Sequence, residues 1–212
     1  MPRKLKAPQV RDAAATRARI LAAATTEFAA KGLLGARVDA IAERSGANKR
    51  MIYHYFGSKE ALFTAVLEAA WAGIREAEHA LGLNALPPRE ALEKLVRFTW
   101  GYYLEHPEFL TLVHSENLHK ARHLQNSAAM REMSDRFMGL VEGILDRGVA
   151  AGEFRAGIDP VQLNITIAAI GYYYLTNRYT GAIVYNRDLM NRDALDARLA
   201  FNLDTIMRLV AA

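Results

Sequence analysis

The stretch from Val38 to Phe56 constrains this chain more tightly than any other. Val38, Ile41 and Ala42 are apolar at helical spacing, and so are Ile52, Tyr53 and Phe56. Ser45-Gly46 supplies a stop between them, because glycine takes the left-handed conformation that other residues resist at a helix end. Asn48 is placed to cap the second helix, its side-chain oxygen accepting from a free amide of the first turn. Helix, glycine turn and capped helix together predict a helix-turn-helix. Phe56 reads as core. The outward face of the second helix carries Lys49, Arg50, Tyr53, His54 and Tyr55, donors and stacking groups with no carboxylate among them. Such a face suits nucleic acid.

The placement of charge agrees. The chain of 212 residues has net charge +4, but residues 1–60 hold 12 Lys+Arg against 5 Asp+Glu, and residues 61–212 hold 15 against 18. A head of +7 on a body of −3 is the footprint of a single nucleic-acid face. A solvated basic tail would explain Arg3, Lys4 and Lys6 but not the basic second helix. With 51% apolar residues there is enough for a sizeable core. Cysteine is absent, which excludes disulfides, thiolate metal sites and a cysteine nucleophile and fits a reducing compartment. The longest apolar run, Leu163 to Leu175, is interrupted by Asn164 and Thr166 and falls short of the roughly 20 residues of a membrane span. No secretory signal is evident, and Glu27 argues against an Arg-rich transit peptide. The expected location is cytoplasmic, with no membrane partner.

Along the chain, the expected organisation is a basic flexible arm at 1–11, a helix-turn-helix DNA-binding domain at 12–57, and an effector-binding and dimerisation domain at 58–212. Asp12 is the expected cap of a first helix that presents Ile20, Leu21, Ala24 and Phe28 inward and stops at Gly32. Ser58 caps a long helix running through Val66, Trp71 and Ile74 toward Leu81. Pro88 opens another that His106-Pro107 breaks. A short segment through Leu110 and Val113 comes next, then an amphipathic stretch from His119 to Ala151. Asp159-Pro160 starts a strongly apolar helix, and a last one spans roughly Asp193 to Val210. No alternating strand pattern and no repeat is present. The fold class is all-α, about nine helices.

The spaced series Thr16-Arg17, Ile20-Leu21, Ala24, Phe28, Gly32, Ile41-Ala42, Gly46, Lys49, Ile52-Tyr53, Tyr55-Phe56, Ser58-Lys59-Glu60 and Leu62 resembles the TetR family of transcriptional regulators. The likeness covers roughly residues 14–63. In the body, Tyr103-x-Glu105-His106-Pro107-Glu108 looks like a turn common in the family, and the helix after Asp159-Pro160 is similar to the pyrimidine-responsive branch. The resemblance implies a homodimeric, effector-responsive repressor that reads a palindromic operator in double-stranded DNA. It places Lys49 and Arg50 at base-reading positions and Tyr53, Tyr55 and Lys59 against phosphates; Arg17, Arg37, Asn48 and His54 complete the expected DNA-binding set. One departure stands out: Arg37 occupies the position where the family has a threonine that both caps the second helix and touches phosphate.

In the body, the family resemblance implies a pocket for a small molecule, partly aromatic or apolar. Trp71, Trp100, Tyr103, Tyr173 and Tyr174 are its expected walls, with His114, Asn117 and Asn177 as orienting polar groups. Aromatics at helical spacing are equally what a plain core requires. The last two long helices suit a dimer bundle, as in the family. Two readings from other classes remain in view. Glu76-x-x-His79 and Glu116-x-x-His119 have the spacing used by di-iron helical bundles, with Glu93 and Glu142 as further ligands, and His119 and His123 are four apart. Against this, Arg75 to His79 reads as a solvated face, so no enzyme, metal or cofactor is expected. A sequence-blind DNA-coating protein is the other.

Overall fold

The computed structural model describes the backbone of residues 7–212 and the side chains from Ala13 onward. Helix α1 (Ala7–Gly35) is already formed at Ala7, so Asp12 lies inside it rather than at its cap, and residues 7–11 are helix rather than arm. The remainder of the expected arm, residues 1–6, lies outside the described residues. Gly32 (φ 64°, ψ 177°) breaks the helical path where the sequence predicts the stop. The described residues form ten α-helices and one 3-10 turn, with no strand among them beyond a single bridge between Phe154 and Ala211.

The chain forms two compact units. The first comprises residues up to Trp71 together with Thr111–Ala128; the second comprises Ala72–Leu110 and Ala129–Ala212. Compactness therefore does not divide the chain at Ser58. Helix α4 (Lys59–Ala80) contributes to both units, and so does α6 (Pro107–Leu118).

The first unit is built on the stripe the sequence displays. Ile20, Ala24 and Phe28 of α1 bury against Ile41 of α2 (Val38–Ser45), Ile52 of α3 (Lys49–Phe56), Leu62, Phe63, Val66 and Leu67 of α4, and Leu112 of α6. Each such side chain contributes about 1.5–3 kcal/mol by leaving water. Phe28 meets Phe63 edge to face at 5.1 Å.

The start of α2 is anchored from a distance rather than capped. Arg37 makes no side-chain cap, but its backbone N–H donates to Glu27 Oε1 at 3.1 Å, and Glu27 also accepts from Lys31 Nζ at 2.9 Å. Glu27 is buried, and the Lys31 hydrogen bond holds its carboxyl below the ordinary range in spite of burial, helped by the Arg37 amide. A depressed carboxyl stabilises the fold above its unfolded pKa of 4.5 and loses that contribution as the pH falls through the lower, folded value. Glu27→Gln is accordingly expected to cost about 1–3 kcal/mol in urea unfolding at pH 7. The deficit should shrink on acidification.

Two segments depart from the sequence reading. The stretch expected to be helical from His119 is instead a run of turns up to Asn126, and α7 covers Ala128–Ala150. Buried Glu116 organises those turns: its carboxylate accepts from the amides of His123 (2.8 Å) and Leu124 (3.2 Å) and pairs with His123 Nδ1 at 2.6 Å. Lys120 and Ala121 take left-handed φ of 58° and 56° to let the chain turn back. A tenth helix, α9 (Arg178–Val184), succeeds α8 (Pro160–Thr176) after a break at Asn177, where no glycine or proline announces it.

The second unit packs α5 (Pro88–Glu105), α7, α8 and α10 (Arg192–Val210) around Leu92, Leu95, Val96, Phe137, Val141, Ile144, Leu163, Ile167, Ile206 and Val210. Asp159 caps α8, accepting from the amide of Val161 at 2.8 Å. Gly148 has no room for a side chain, since a Cβ there would stand 1.9 Å from the Phe154 ring.

Candidate functional site

The helix-turn-helix is anchored from both ends. Gly46 ends α2 in the left-handed conformation (φ 66°), and Asn48 Oδ1 accepts from the Met51 amide at 2.9 Å to start α3. Ser58 Oγ accepts from the Ala61 amide at 3.0 Å and starts α4. Buried Ile52 seats α3 on the core, which turns Lys49, Arg50, Tyr53 and His54 outward, all exposed. Arg37, Asn48 and Arg17 are exposed as well, with the Arg17 guanidinium 5.1 Å from the centre of the Phe56 ring. Tyr55 is half-buried and packs against the core cluster, and half-buried Lys59 donates to the Leu34 carbonyl at 3.5 Å. All nine expected DNA-binding residues lie in the first unit.

Two residues that composition did not single out complete this surface. Arg19 donates through Nε to the Ser45 carbonyl (3.4 Å) and through Nη2 to Thr16 Oγ1 (3.1 Å), tying the end of α2 to α1. Asp39, in the first turn of α2, pairs with Lys49 Nζ at 2.5 Å and lies 4.0 Å from Arg37 Nη2. It pairs with the cations at the starts of α2 and α3 and presents a negative charge to any approaching phosphate. Asp39→Asn is expected to tighten binding to an arbitrary duplex roughly 3- to 10-fold at low salt, with the gain shrinking as salt rises, in a fluorescence-anisotropy titration.

The eight residues expected at an effector pocket are divided between the two units. Tyr173, Tyr174 and Asn177 line one cavity of about 470 Å³ in the second unit, together with Tyr185, Leu189 and Arg198. Trp100 is buried and meets Tyr174 edge to face at 5.6 Å, and Tyr103 is buried and stacks on Phe109 at 6.0 Å; neither lines that cavity. Burial pushes the Tyr103 hydroxyl up to about 12. His114 and Asn117 are exposed and belong to the first unit, as does half-buried Trp71; Asn117 Nδ2 donates to the Val113 carbonyl. Asn177 spends its amide on the Tyr173 carbonyl (2.9 Å) and Thr176 Oγ1 (3.2 Å).

A second cavity, of about 670 Å³, is one the sequence reading missed. Arg75, Glu76, Glu78 and His79 of α4 line it together with Met133, Arg136, Phe137 and Leu140 of α7 and with Asn84. The run from Arg75 to His79 is therefore not simply a solvated face: Glu78 is 4% exposed and ion-paired with Arg75. The signal was available, since Leu67, Trp71, Ile74 and Glu78 fall on one helical stripe. The charge-dense neighbours obscured it. The Glu76–His79 pair belongs to this unit and the Glu116–His119 pair to the first, and no group of three His, Asp or Glu that could hold a metal occurs among the described residues.

Comparison with known proteins agrees with this architecture. Residues 20–66 match the family model described as bacterial regulatory proteins, tetR family, and residues 88–206 match the tetracyclin repressor-like C-terminal domain. The chain is 39% identical over 193 residues to the HTH-type transcriptional repressor NicS of Pseudomonas putida, covering 91% of each. It is 29% identical over 160 residues to the HTH-type transcriptional regulator RutR of Escherichia coli K12, covering 73% of this chain and 71% of RutR. Among solved structures, the transcriptional regulator SCO4942 of Streptomyces coelicolor superposes with a TM-score of 0.70 at 25% identity, over 92% of this chain and 98% of that one. This chain belongs to the TetR family. It is an effector-responsive, DNA-binding transcriptional repressor, not an enzyme. No helix among the described residues is long and apolar enough to cross a membrane.

Proposed function

We propose that this repressor reads a palindromic operator in the cytoplasm as a homodimer joined through α8 and α10, and that a small molecule bound in the second unit releases it. The observation that carries DNA reading is the exposed row Lys49, Arg50, Tyr53 and His54 on a capped α3 whose inner face is locked by Ile52. Two-fold pairing is supported by large apolar side chains left outward on the last helices: Val161, Ile165 and Tyr173 on α8 and Phe201 on α10. Ile165 is 52% exposed and Phe201 61%, a cost in water that a second copy would remove. Two copies of α3 then address half-sites about 34–36 Å apart, or a multiple of that. An effector that fits one arrangement of the dimer better than another shifts the population away from the DNA-binding one.

Selection from a randomised duplex pool, with light scattering of the resulting complex, tests this. The expected product is an inverted repeat bound by two copies, with Ile165→Asp/Phe201→Asp yielding a monomer that no longer retains it. Enrichment of single, non-repeated sites by a lone copy would overturn the dimer reading. Absence of any enrichment would favour a protein that coats DNA without regard to sequence.

A further inference from the structure

Resting on the reading that a small molecule releases this repressor, we propose that the effector seats in the cavity between α4 and α7, and that it is a neutral, planar molecule presenting a hydrogen-bond acceptor beside a donor, as an amide, lactam or ureide does. The cavity, at about 670 Å³, is of the size that holds small ligands. Met133, Phe137 and Leu140 give it an apolar wall, and α4 sets a buried ion pair against that wall. The side chains of Arg75 and Glu78 are 17% and 4% exposed. Burying such a pair costs more desolvation than apolar replacements of the same volume would, so packing alone does not account for it. A wall that must present a donor and an acceptor side by side does.

The geometry fixes the orientation of that fork. The Arg75 guanidinium lies 3.8 Å from the centre of the Phe137 ring, and one of its nitrogens bonds the Glu78 carboxylate. A planar ligand lying along the same wall gives its acceptor to Arg75 and its donor to Glu78. The charges around the space decide against an ion. Arg75 and Arg136 stand in the same lining as the carboxyls of Glu76 and Glu78 and the imidazole of His79, so neither an anion nor a cation meets groups of one sign alone. Burial also raises the Glu78 carboxyl to about 7, the kind of perturbed group that collects at binding sites. The cavity by Tyr173 has no comparable pair: Arg187 and Arg198 bring positive charge to its lining with no carboxylate, and it borders the exposed Tyr173 and Tyr185.

Benzamide, benzoate and benzylammonium share one ring and differ in charge and hydrogen bonding, so they separate the alternatives. Thermal unfolding of the full chain with each at millimolar concentration should show a rise in Tm of about 2–4 °C with benzamide and less than a quarter of that with the two ions. Gly139→Leu provides the site control. Gly139 lies inside α7 on the cavity lining, a Cβ there meets nothing within 4 Å, and leucine is the better helix former, so the variant should fold with added bulk at the lining. It should abolish the benzamide shift. In parallel, benzamide should loosen the wild-type protein from the duplex enriched from the randomised pool. If no duplex is enriched, the repressor reading itself fails, whatever the probes do. If a duplex is held but no probe shifts Tm, or an ion matches benzamide, or Gly139→Leu leaves the shift intact, the assignment of this cavity and ligand class is overturned.

Discussion

Replacing Arg50 by alanine is expected to weaken binding to the selected operator by about 1–3 kcal/mol, a loss of roughly 5- to 150-fold, while binding to a scrambled duplex of equal length falls far less. Arg50 stands exposed in the first turn of α3, where an arginine can pair bidentately with a guanine edge. Lys49→Ala should show the same pattern with a smaller loss, because Lys49 must first surrender its 2.5 Å pair with Asp39. That exposed pair is worth about 0–1 kcal/mol, enough to rank the two residues but not to silence Lys49. Tyr53→Phe and Lys59→Ala should instead weaken all duplexes alike, Lys59→Ala lowering the salt slope by about one. Electrophoretic mobility shift titrations on paired cognate and scrambled duplexes decide the matter. Equal losses on both for Arg50→Ala would remove the base-reading role and restore the sequence-blind alternative.

The head was legible because its signals are local. Gly46, Asn48 and Ser58 each act on a neighbouring backbone group, so residue type and spacing reveal their roles, and the structure finds each at its post. What stayed hidden was long-range. The anchor on the Arg37 amide comes from Glu27, ten residues back, and a glutamate within a helix looks the same whether it accepts from a distant amide or faces water. The turns after α6 hinge on Glu116 reaching forward to His123 and Leu124, in a stretch whose apolar periodicity by itself favours continuing the helix. The body misled for a further reason. Aromatic residues at helical spacing say only that a face is apolar, and Trp100 and Tyr103 turned inward into packing, whereas Tyr173 turned outward at 60% exposure. The better pointer was a charged residue on an apolar stripe: Glu78 stands four residues beyond Ile74, where a core position is due.

Glu78→Gln is expected to make the protein more stable at pH 8 by on the order of 3 kcal/mol and to leave it nearly unchanged near pH 4. Burial is the main cause of the raised carboxyl: desolvation lifts it from 4.5 to about 7, against the pull of Arg75. A carboxyl raised in the folded state favours folding only while it is protonated. Its contribution is fully present below the unfolded value of 4.5, declines across the window from 4.5 to about 7, and is gone above that. Glutamine keeps the shape and an acceptor for Arg75 but never ionises, so it removes the cost that the wild-type chain bears once Glu78 is charged. Urea unfolding at half-unit steps from pH 4 to pH 8 should therefore give curves that meet at the acid end and separate steadily toward the alkaline end. A deficit for the variant at pH 8 would mean that the attraction to Arg75 outweighs desolvation. A natural chain that keeps an ionisable group where glutamine would be more stable is trading stability for something the group does when charged, and the cavity it borders is where that use is to be sought.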